Sequence, residues 1–429
     1  MASGALRTYL LASWLAAPFA SPLLARRRAR GKEDPDRMGE RLGHASAPRP
    51  DGKIIWLHGA SVGEAMSILP LGQALDNRAA GPVTCLVTTG TVTAARRMAD
   101  VLPDGVLHQY VPVDTAPAVR RFLDHWRPDL AVWVESELWP RLLHETHRRG
   151  VPMALVNARM SERSHARWQR APKMARALLS AFRLILTQDG ETLERLRSLG
   201  ITGQYGGNLK SLVPPPDCPP EMLAEMRLRL SRRKIWLAAS THPGEEELVL
   251  AAHAKVRERH PQALLILAPR HPERGGEIAG LLDRAGVAWA RRSTGEMPTP
   301  GTSVWLADTL GEMGIWYRMA PVTFVGGSLV PVGGHTPFEP VMIGSVVIHG
   351  PETTNFAPTY ADLDAARGAA KITTADDLGA ITADLLADDE RRAQMVLDAA
   401  EAHFDMKPDV DAMADALLDL MSRPARVPA

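Results

Sequence analysis

Residues 53–75, KIIWLHGASVGEAMSILPLGQAL, run from a β-rich apolar stretch through a turn of small residues into a helical pattern. A carboxylate, Glu64, stands where the strand hands over to the helix. Ser61 and Glu64 have the Ser-x-x-Glu spacing of a capping box, in which each side chain satisfies a backbone N–H at a helix start. Alternatively, Glu64 lies at the mouth of a sheet, where open α/β folds bind ligands, and works as a base. Spacing alone leaves both readings open.

The same handover recurs along the chain. In the first half the apolar runs are KIIWLHG, VTCLVTTG, DLAVWVES, VPMALVNA and FRLILTQD, with helical patterns such as AVRRFLDHW and PRLLHETHRRG between them. Near-continuous apolar strands alternating with helices imply a parallel sheet covered on both faces. After GNLKSL comes VPPPDCPP, a proline-rich stretch unsuited to either element and the best linker candidate. The rhythm then restarts with KIWLAAS, ALLILAPR, SVWLAD, PVTFVGG and SVVIHG. The expected architecture is α/β: two doubly wound, Rossmann-like domains, residues 31–212 and 221–429, joined by a linker at 213–220 and facing each other across a cleft. The tail from Ala375 reads as mostly helical, and its last helix is a candidate to cross back to the first domain.

Bulk properties agree with two ordinary globular domains. The chain has 429 residues, 45% hydrophobic and 23% charged, enough for two separate cores. A net charge of +1 argues against a general nucleic-acid binder. Two cysteines, Cys85 and Cys218, make neither a disulfide framework nor a metal cluster, so the chemistry is expected to do without thiols.

Residues 1–30 stand apart. Tyr9 to Ala25 is uncharged and apolar, and Arg26, Arg27, Arg28 and Arg30 follow at once. A straight helix over this stretch reaches roughly 25 Å, a little short of a bilayer's hydrocarbon core, and Pro18 and Pro22 would bend it. Because the charge follows the apolar run, an N-terminal anchor held by cytoplasmic arginines is favoured over a cleaved signal peptide or a buried core helix.

Several strand ends carry candidate chemistry. In the second half, Ser240 or Thr241 of AASTHPGEEE can cap a helix whose free N–H groups face a ligand, and FVGGSLVPVGGHTPFEP opens a further helix at Thr336. Such helix starts attract phosphate, although a glycine-rich loop of no function has the same look. Arg270, His271 and Arg274 lie just beyond a buried strand, where Arg270 can pair with a phosphate or simply be solvated. Glu339 can accept from ribose hydroxyls, and Thr336-x-x-Glu339 and Thr309-x-x-Glu312 also have the box spacing. No Walker A motif is present, and no G-x-G-x-x-G follows the first strand, which argues against a kinase or a dehydrogenase. In the first half, Glu135 and Glu137 share a face if the chain stays extended, while Glu137 can instead serve the helix dipole ahead of Pro140. Asn157, Arg159, Ser161, Arg163, Asn208 and Lys210 are expected on loops at the same edge.

Taken together, HGASVGE, VESELWP, NARMSERS, GNLKSL, STHPGEEE, APRHPER, DTLGEM, FVGGSLVPVGGHTPFEP and GPETTNF, in that order, resemble the bacterial 3-deoxy-D-manno-octulosonic acid (Kdo) transferases of lipopolysaccharide assembly. The resemblance implies a GT-B glycosyltransferase that moves Kdo from CMP-Kdo to the lipid A precursor, anchored N-terminally at the cytoplasmic face of the inner membrane among its lipids. It implies Glu64 as general base, with Glu135 and Lys210 stabilising the transition state. It also implies CMP bound through Pro269, Arg270, Leu310, Gly311, Glu312, Thr336, Pro337, Phe338 and Glu339. Glu137, Ser61, Gly63, Asn208 and His335 are secondary candidates. Thr336 departs from the family, where many members have asparagine; both residues can cap a helix. No metal and no cofactor are expected, because a nucleoside monophosphate leaving group can be met by a helix start and an arginine. Two rivals stand beside this reading: a nucleotide-sugar epimerase of the same two-domain fold, and a non-catalytic membrane scaffold.

Overall fold

The computed structural model describes residues 4–423. Contacts divide the chain into two units, Met1–Val213 with Lys407–Ala429, and Pro214–Met406.

The first unit is built on β1 (Lys53–His58), β2 (Val83–Thr89), β3 (Leu107–Tyr110), β4 (Leu130–Val134), β5 (Met153–Ala158), β6 (Leu184–Thr187) and β7 (Gln204–Tyr205). Their order is β3-β2-β1-β4-β5-β6-β7, every pair parallel. Strands β1, β4 and β5 are apolar on both sides because helices cover both faces of the sheet; Trp56 and Trp133 pack edge to face inside it, ring centroids 4.7 Å apart. The strand order reverses between β1 and β4, so the ends of these two strands flank the switch point at which such sheets bind ligands.

The second unit repeats the plan with β8 (Ile235–Thr241), β9 (Leu264–Pro269), β10 (Trp289–Arg291), β11 (Val304–Leu306), β12 (Val322–Val325), β13 (Val346–His349) and β14 (Ala369–Lys371). The order is β10-β11-β9-β8-β12-β13-β14, again all parallel, with its switch point between β8 and β12.

Two boundaries differ from those expected. Residues 407–429 were expected within the second domain, yet the helix Val410–Ser422 belongs to the first unit. It buries Met413, Ala414 and Leu417 in one core with Ile68, Leu71 and Leu75 of the helix Val62–Arg78, and Arg78 Nε donates to Asp415 at 2.6 Å. The crossing that the tail pattern allowed is therefore made. The segment 1–30 was expected to stand apart, yet its described residues, from Gly4 onward, are tied into the same unit. Two helices, Gly4–Leu15 and Ala20–Arg28, flank a short turn at Ala17–Phe19 that holds Pro18. Leu6 and Leu24 are buried, the Tyr9 hydroxyl donates to Asp114 at 2.8 Å, and Arg141 Nε donates to Ser13 at 3.0 Å. Among the described residues no single helix is long and apolar enough to cross a membrane; the segments Gly4–Leu15 and Ala17–Arg28, bent by 50°, meet the length and composition test only as a pair.

Candidate active site

The candidates fall at the carboxyl ends of neighbouring strands, in two groups, one in each unit.

In the first unit β1 ends at His58, and the chain turns tightly enough that a Cβ at Gly59 would meet the Ala65 nitrogen at 2.8 Å. The helix Val62–Arg78 starts with Ser61 as its cap, the Ser61 hydroxyl accepting from the Glu64 N–H at 3.4 Å. Glu64 does not complete a box with the Ser61 backbone. Its Oε2 accepts from the Ala60 N–H and its Oε1 from the Ser61 hydroxyl, both at 2.8 Å. Capping and a poised carboxylate thus coexist. Burial, then the charge of Glu135, push the Glu64 carboxyl above the usual glutamate range against these two donors, and Glu137 adds to the push. Gly63, in the same first turn, has open space where a Cβ would be, so nothing around it requires glycine.

Beyond β4 the extended geometry stops at once. Glu135 has φ +61, which turns the chain, so Glu135 and Glu137 do not share a strand face as expected. Glu135 Oε1 lies 2.5 Å from Lys210 Nζ, with both side chains largely covered. Lys210 is delivered by two asparagines. Asn157, fully buried at φ +50 near the end of β5, accepts from the Leu209 N–H at 3.0 Å, and Asn208 caps the turn Leu209–Leu212 by accepting from the Lys210 N–H at 3.0 Å. Glu137 makes no cap for the helix Pro140–Arg148; it pairs with the Trp139 side chain, and burial followed by Glu135 raises its pKa. Beside these acids is a cavity of about 340 Å³ lined by Glu135, Glu137, Trp139, Arg159, Arg167 and Trp168.

In the second unit the expected helix-start phosphate site after β8 is not formed as read. The helix Glu245–Arg259 is preceded by Gly244 at φ +92, which provides no side-chain cap, and neither Ser240 nor Thr241 caps it. Its first turn is acidic, and Glu245 turns inward. Glu245 Oε2 accepts from the N–H groups of His242 (3.0 Å) and Gly327 (2.7 Å), and its Oε1 from those of Ser328 (3.1 Å) and Leu329 (3.0 Å). One carboxylate therefore pins the loop after β12 to the loop after β8, although burial raises its pKa against those four donors. Gly326 completes the join, since a Cβ there would meet the Ser240 carbonyl at 2.6 Å. Sequence reasoning passed over Glu245 because a glutamate in a first helical turn is ordinary.

Pro269 closes β9 and Arg270 follows it, exposed, its N–H donating to the Thr241 carbonyl at 3.0 Å. The Arg270 charge acts on His242, His335 and Glu339, which places these four in one constellation. Arg274 is instead held by Glu246 and Glu277 at 2.8 and 2.9 Å. The helix after GGHTP begins at Phe338, two residues later than expected, and the Thr336 hydroxyl accepts from the Phe338 N–H at 3.4 Å. Pro337, at the cap position, and Phe338 are buried, and Glu339 hydrogen-bonds the Tyr317 side chain, burial raising its pKa. Beyond β11, Leu310 is exposed and Gly311 sits at φ +83. Glu312 takes the Arg292 guanidinium (2.5 Å) and the Thr309 hydroxyl, which overcome burial and hold it below the usual range. That carboxylate is committed to Arg292, so the backbone of Leu310 and Gly311 is what this loop has to offer a ligand.

Comparison with known proteins gives the family of the chain and relatives of its fold. Residues 36–213 match the family model of the 3-deoxy-D-manno-octulosonic-acid transferases (kdotransferases). The chain is 35% identical to the 3-deoxy-D-manno-octulosonic acid transferase of Haemophilus influenzae over 393 residues, 90% of each chain. It is 36% identical to that of Bordetella pertussis over 392 residues, 88% of this chain and 89% of the relative. Among solved structures, UDP-GlcNAc 2-epimerase from Neisseria meningitidis shares the fold at a TM-score of 0.56 and 12% identity, covering 86% of this chain and 99% of that one. An epimerase is thus a likeness of fold, while the likeness of sequence over nearly the whole chain is to transferases. The chain belongs to the 3-deoxy-D-manno-octulosonic acid transferase family and is a glycosyltransferase.

Proposed function

We propose that this Kdo transferase, of GT-B organisation, takes the sugar from CMP-Kdo and places it, with inversion, on the disaccharide precursor of lipid A. The observation that carries the reading is the Glu64 carboxylate, half-buried at the switch point of its sheet and raised in pKa by burial and Glu135. A sugar hydroxyl is a poor nucleophile. A carboxylate that takes its proton during attack contributes ~10² to 10⁴ in rate, and a raised pKa brings the base nearer the working pH. Attack opposite the leaving phosphate inverts the anomeric centre, and the Glu135–Lys210 pair stands ready to stabilise the oxocarbenium-like state. The acceptor's sugars are assigned to the cavity that Glu135 lines, with Arg159 and Arg167 to meet its phosphates. Cytidylate is assigned to Arg270, the Leu310–Gly311 backbone and the residues from Thr336 to Glu339, and its charge is met there without a metal or cofactor.

The N-terminal helices are assigned to the cytoplasmic face of the inner membrane. Leu11, Trp14, Leu15, Phe19 and Leu23 are each 56% or more exposed, and Arg26 to Arg28 follow them. Apolar side chains beside a basic cluster suit an anionic lipid surface.

Incubation with CMP-Kdo and lipid A precursor, read by mass spectrometry, should show added Kdo. Hydrolysis or isomerisation alone would favour epimerase chemistry. Glu64→Gln should abolish transfer while CMP affinity and melting temperature stay near wild type. A Glu64→Gln protein that unfolds, yet keeps its activity per folded molecule, would leave Glu64 a cap and nothing more.

A further inference from the structure

Two histidines of the second unit, on loops from the neighbouring strands β8 and β12, meet through their rings. His242 Nε2 and His335 Nε2 are 2.8 Å apart, and the rings are nearly parallel, 6° between planes and 5.1 Å between centroids. Two ring nitrogens at that distance hold one hydrogen between them: one donates and the other accepts. In the neutral pair the donor ring is therefore bare at Nδ1, and the acceptor ring carries its one N–H hydrogen there. A proton taken up at the bare Nδ1 makes the pair a cation. It can be released from either end, because the bridging hydrogen can shift between the two Nε2 atoms.

The fold holds the two rings in this contact. Glu245 binds the His242 N–H and the three N–H groups from Gly327 to Leu329 with one carboxylate. The Tyr360 hydroxyl donates to the His335 carbonyl at 2.8 Å, and the His271 ring stands edge-on to His242, 5.9 Å away. The groups that face His242 are His271, Arg270 and Arg274 beyond β9 and Glu246 on the helix Glu245–Arg259; those that face His335 are His242, Arg270 and His271. Burial and this predominantly cationic surround keep the pair neutral in the free protein, His335 being pushed down to about 4. An anion held by Arg270 reverses the balance and favours an added proton.

We propose that donor binding loads this histidine pair with one proton, which the pair gives to the cytidylate phosphate as that group leaves the sugar. The assignment rests on the donor reading above. In balance, the bond from the sugar's anomeric carbon to the phosphate oxygen breaks and its electrons stay on that phosphate. The phosphate takes the proton from an Nδ1 of the pair, the acceptor oxygen bonds to the anomeric carbon, and the acceptor's proton goes to Glu64. The pair ends neutral and is reloaded from solvent when the next donor binds.

Calorimetric titration of CMP near neutral pH, in two buffers of different ionisation enthalpy, tests the loading. Wild type should take up protons on binding, and His335→Gln and His242→Gln should lose that uptake. In turnover, both variants should lose ~10² in kcat, the scale of a general acid, with donor KM little changed. They should also lose the alkaline limb of the pH profile, since an acid that must be protonated fails as pH rises. Wild-type binding of CMP without proton uptake would overturn the inference, as would variants that keep both uptake and alkaline limb. A wild-type protein that does not bind CMP at all would instead bring down the donor reading.

Discussion

Glu245→Gln tests how the second unit is held together at its switch point. The carboxylate accepts from four backbone N–H groups, two on each oxygen. Glutamine keeps one oxygen and puts an NH₂ where the other stood, so two of the four donors face a donor. The residue is 0% exposed, and water does not replace the lost acceptor. A buried unsatisfied N–H costs roughly 1–3 kcal/mol, so the substitution should cost about 2–6 kcal/mol. Against a domain stability of roughly 5–15 kcal/mol, a loss at the lower end leaves the variant folded. A unit of this size loses about 2–4 °C of melting temperature per kcal/mol, so the second transition should fall by roughly 4 °C or more. The loss is not only global: the bonds broken tie the His242 loop or the Gly327–Leu329 loop, and CMP affinity should drop with them. Calorimetric melting and CMP titration on the same preparation are the assays. A variant that melts with wild type and binds CMP as tightly would refute the claim that this carboxylate joins the two loops.

Arg270→Ala should weaken CMP binding by about 1.5–3 kcal/mol, the scale of a charged hydrogen bond; equal affinity would remove it from the site. Because burial and the charge of Glu135 both raise the Glu64 pKa, the acid limb of kcat/KM should lie above the usual glutamate range. A base must be deprotonated to act, so Glu135→Gln, which removes one of the raising charges, should move that limb to lower pH; a limb that stays or moves up would contradict the assignment. Lys210→Met should lower kcat by ~10² or more while leaving CMP affinity unchanged, since Lys210 belongs to the first unit and the residues proposed to bind CMP to the second. Leu417→Ala, at a fully buried position against the helix that carries Glu64, should cost about 2–5 kcal/mol in urea unfolding of the first unit.

How far the sequence revealed the fold depended on where a strand sits in its sheet. Every β-rich apolar run between helical patterns is a strand, and each lies inside its sheet. The four strands that escaped notice, β3, β7, β10 and β14, are the four sheet edges. An edge strand has a neighbour on one side only and is short, two to four residues here, so it need not be continuously apolar. Half-buried or exposed residues such as Leu107, Gln204 and Lys371 leave no run to find.

The site was legible in a different way: the residue types were visible, and the partners were not. Three Ser/Thr-x-x-Glu spacings fit a box among other readings, and the structure gives each glutamate another main task. Glu64 takes the Ala60 N–H and the Ser61 hydroxyl, Glu312 takes Arg292, and Glu339 takes Tyr317. A true box forms at Thr374 and Asp377, where the helix begins immediately after the threonine and the carboxylate accepts from the Thr374 N–H as well as from the neighbouring Thr373. A box needs the helix to start one residue after the cap. After Thr336 the helix starts two residues on, at Phe338, and after Thr309 four on, at Met313. Local spacing names the groups that can meet, but the packing of the strands behind them decides where the helix begins and so which of those meetings occur. The same reasoning explains Asn157 and Glu245. Each lies near a strand's carboxyl end, and each has a task defined by a backbone segment that only the parallel sheet brings beside it: Leu209 for the asparagine, and Gly327 to Leu329 for the glutamate.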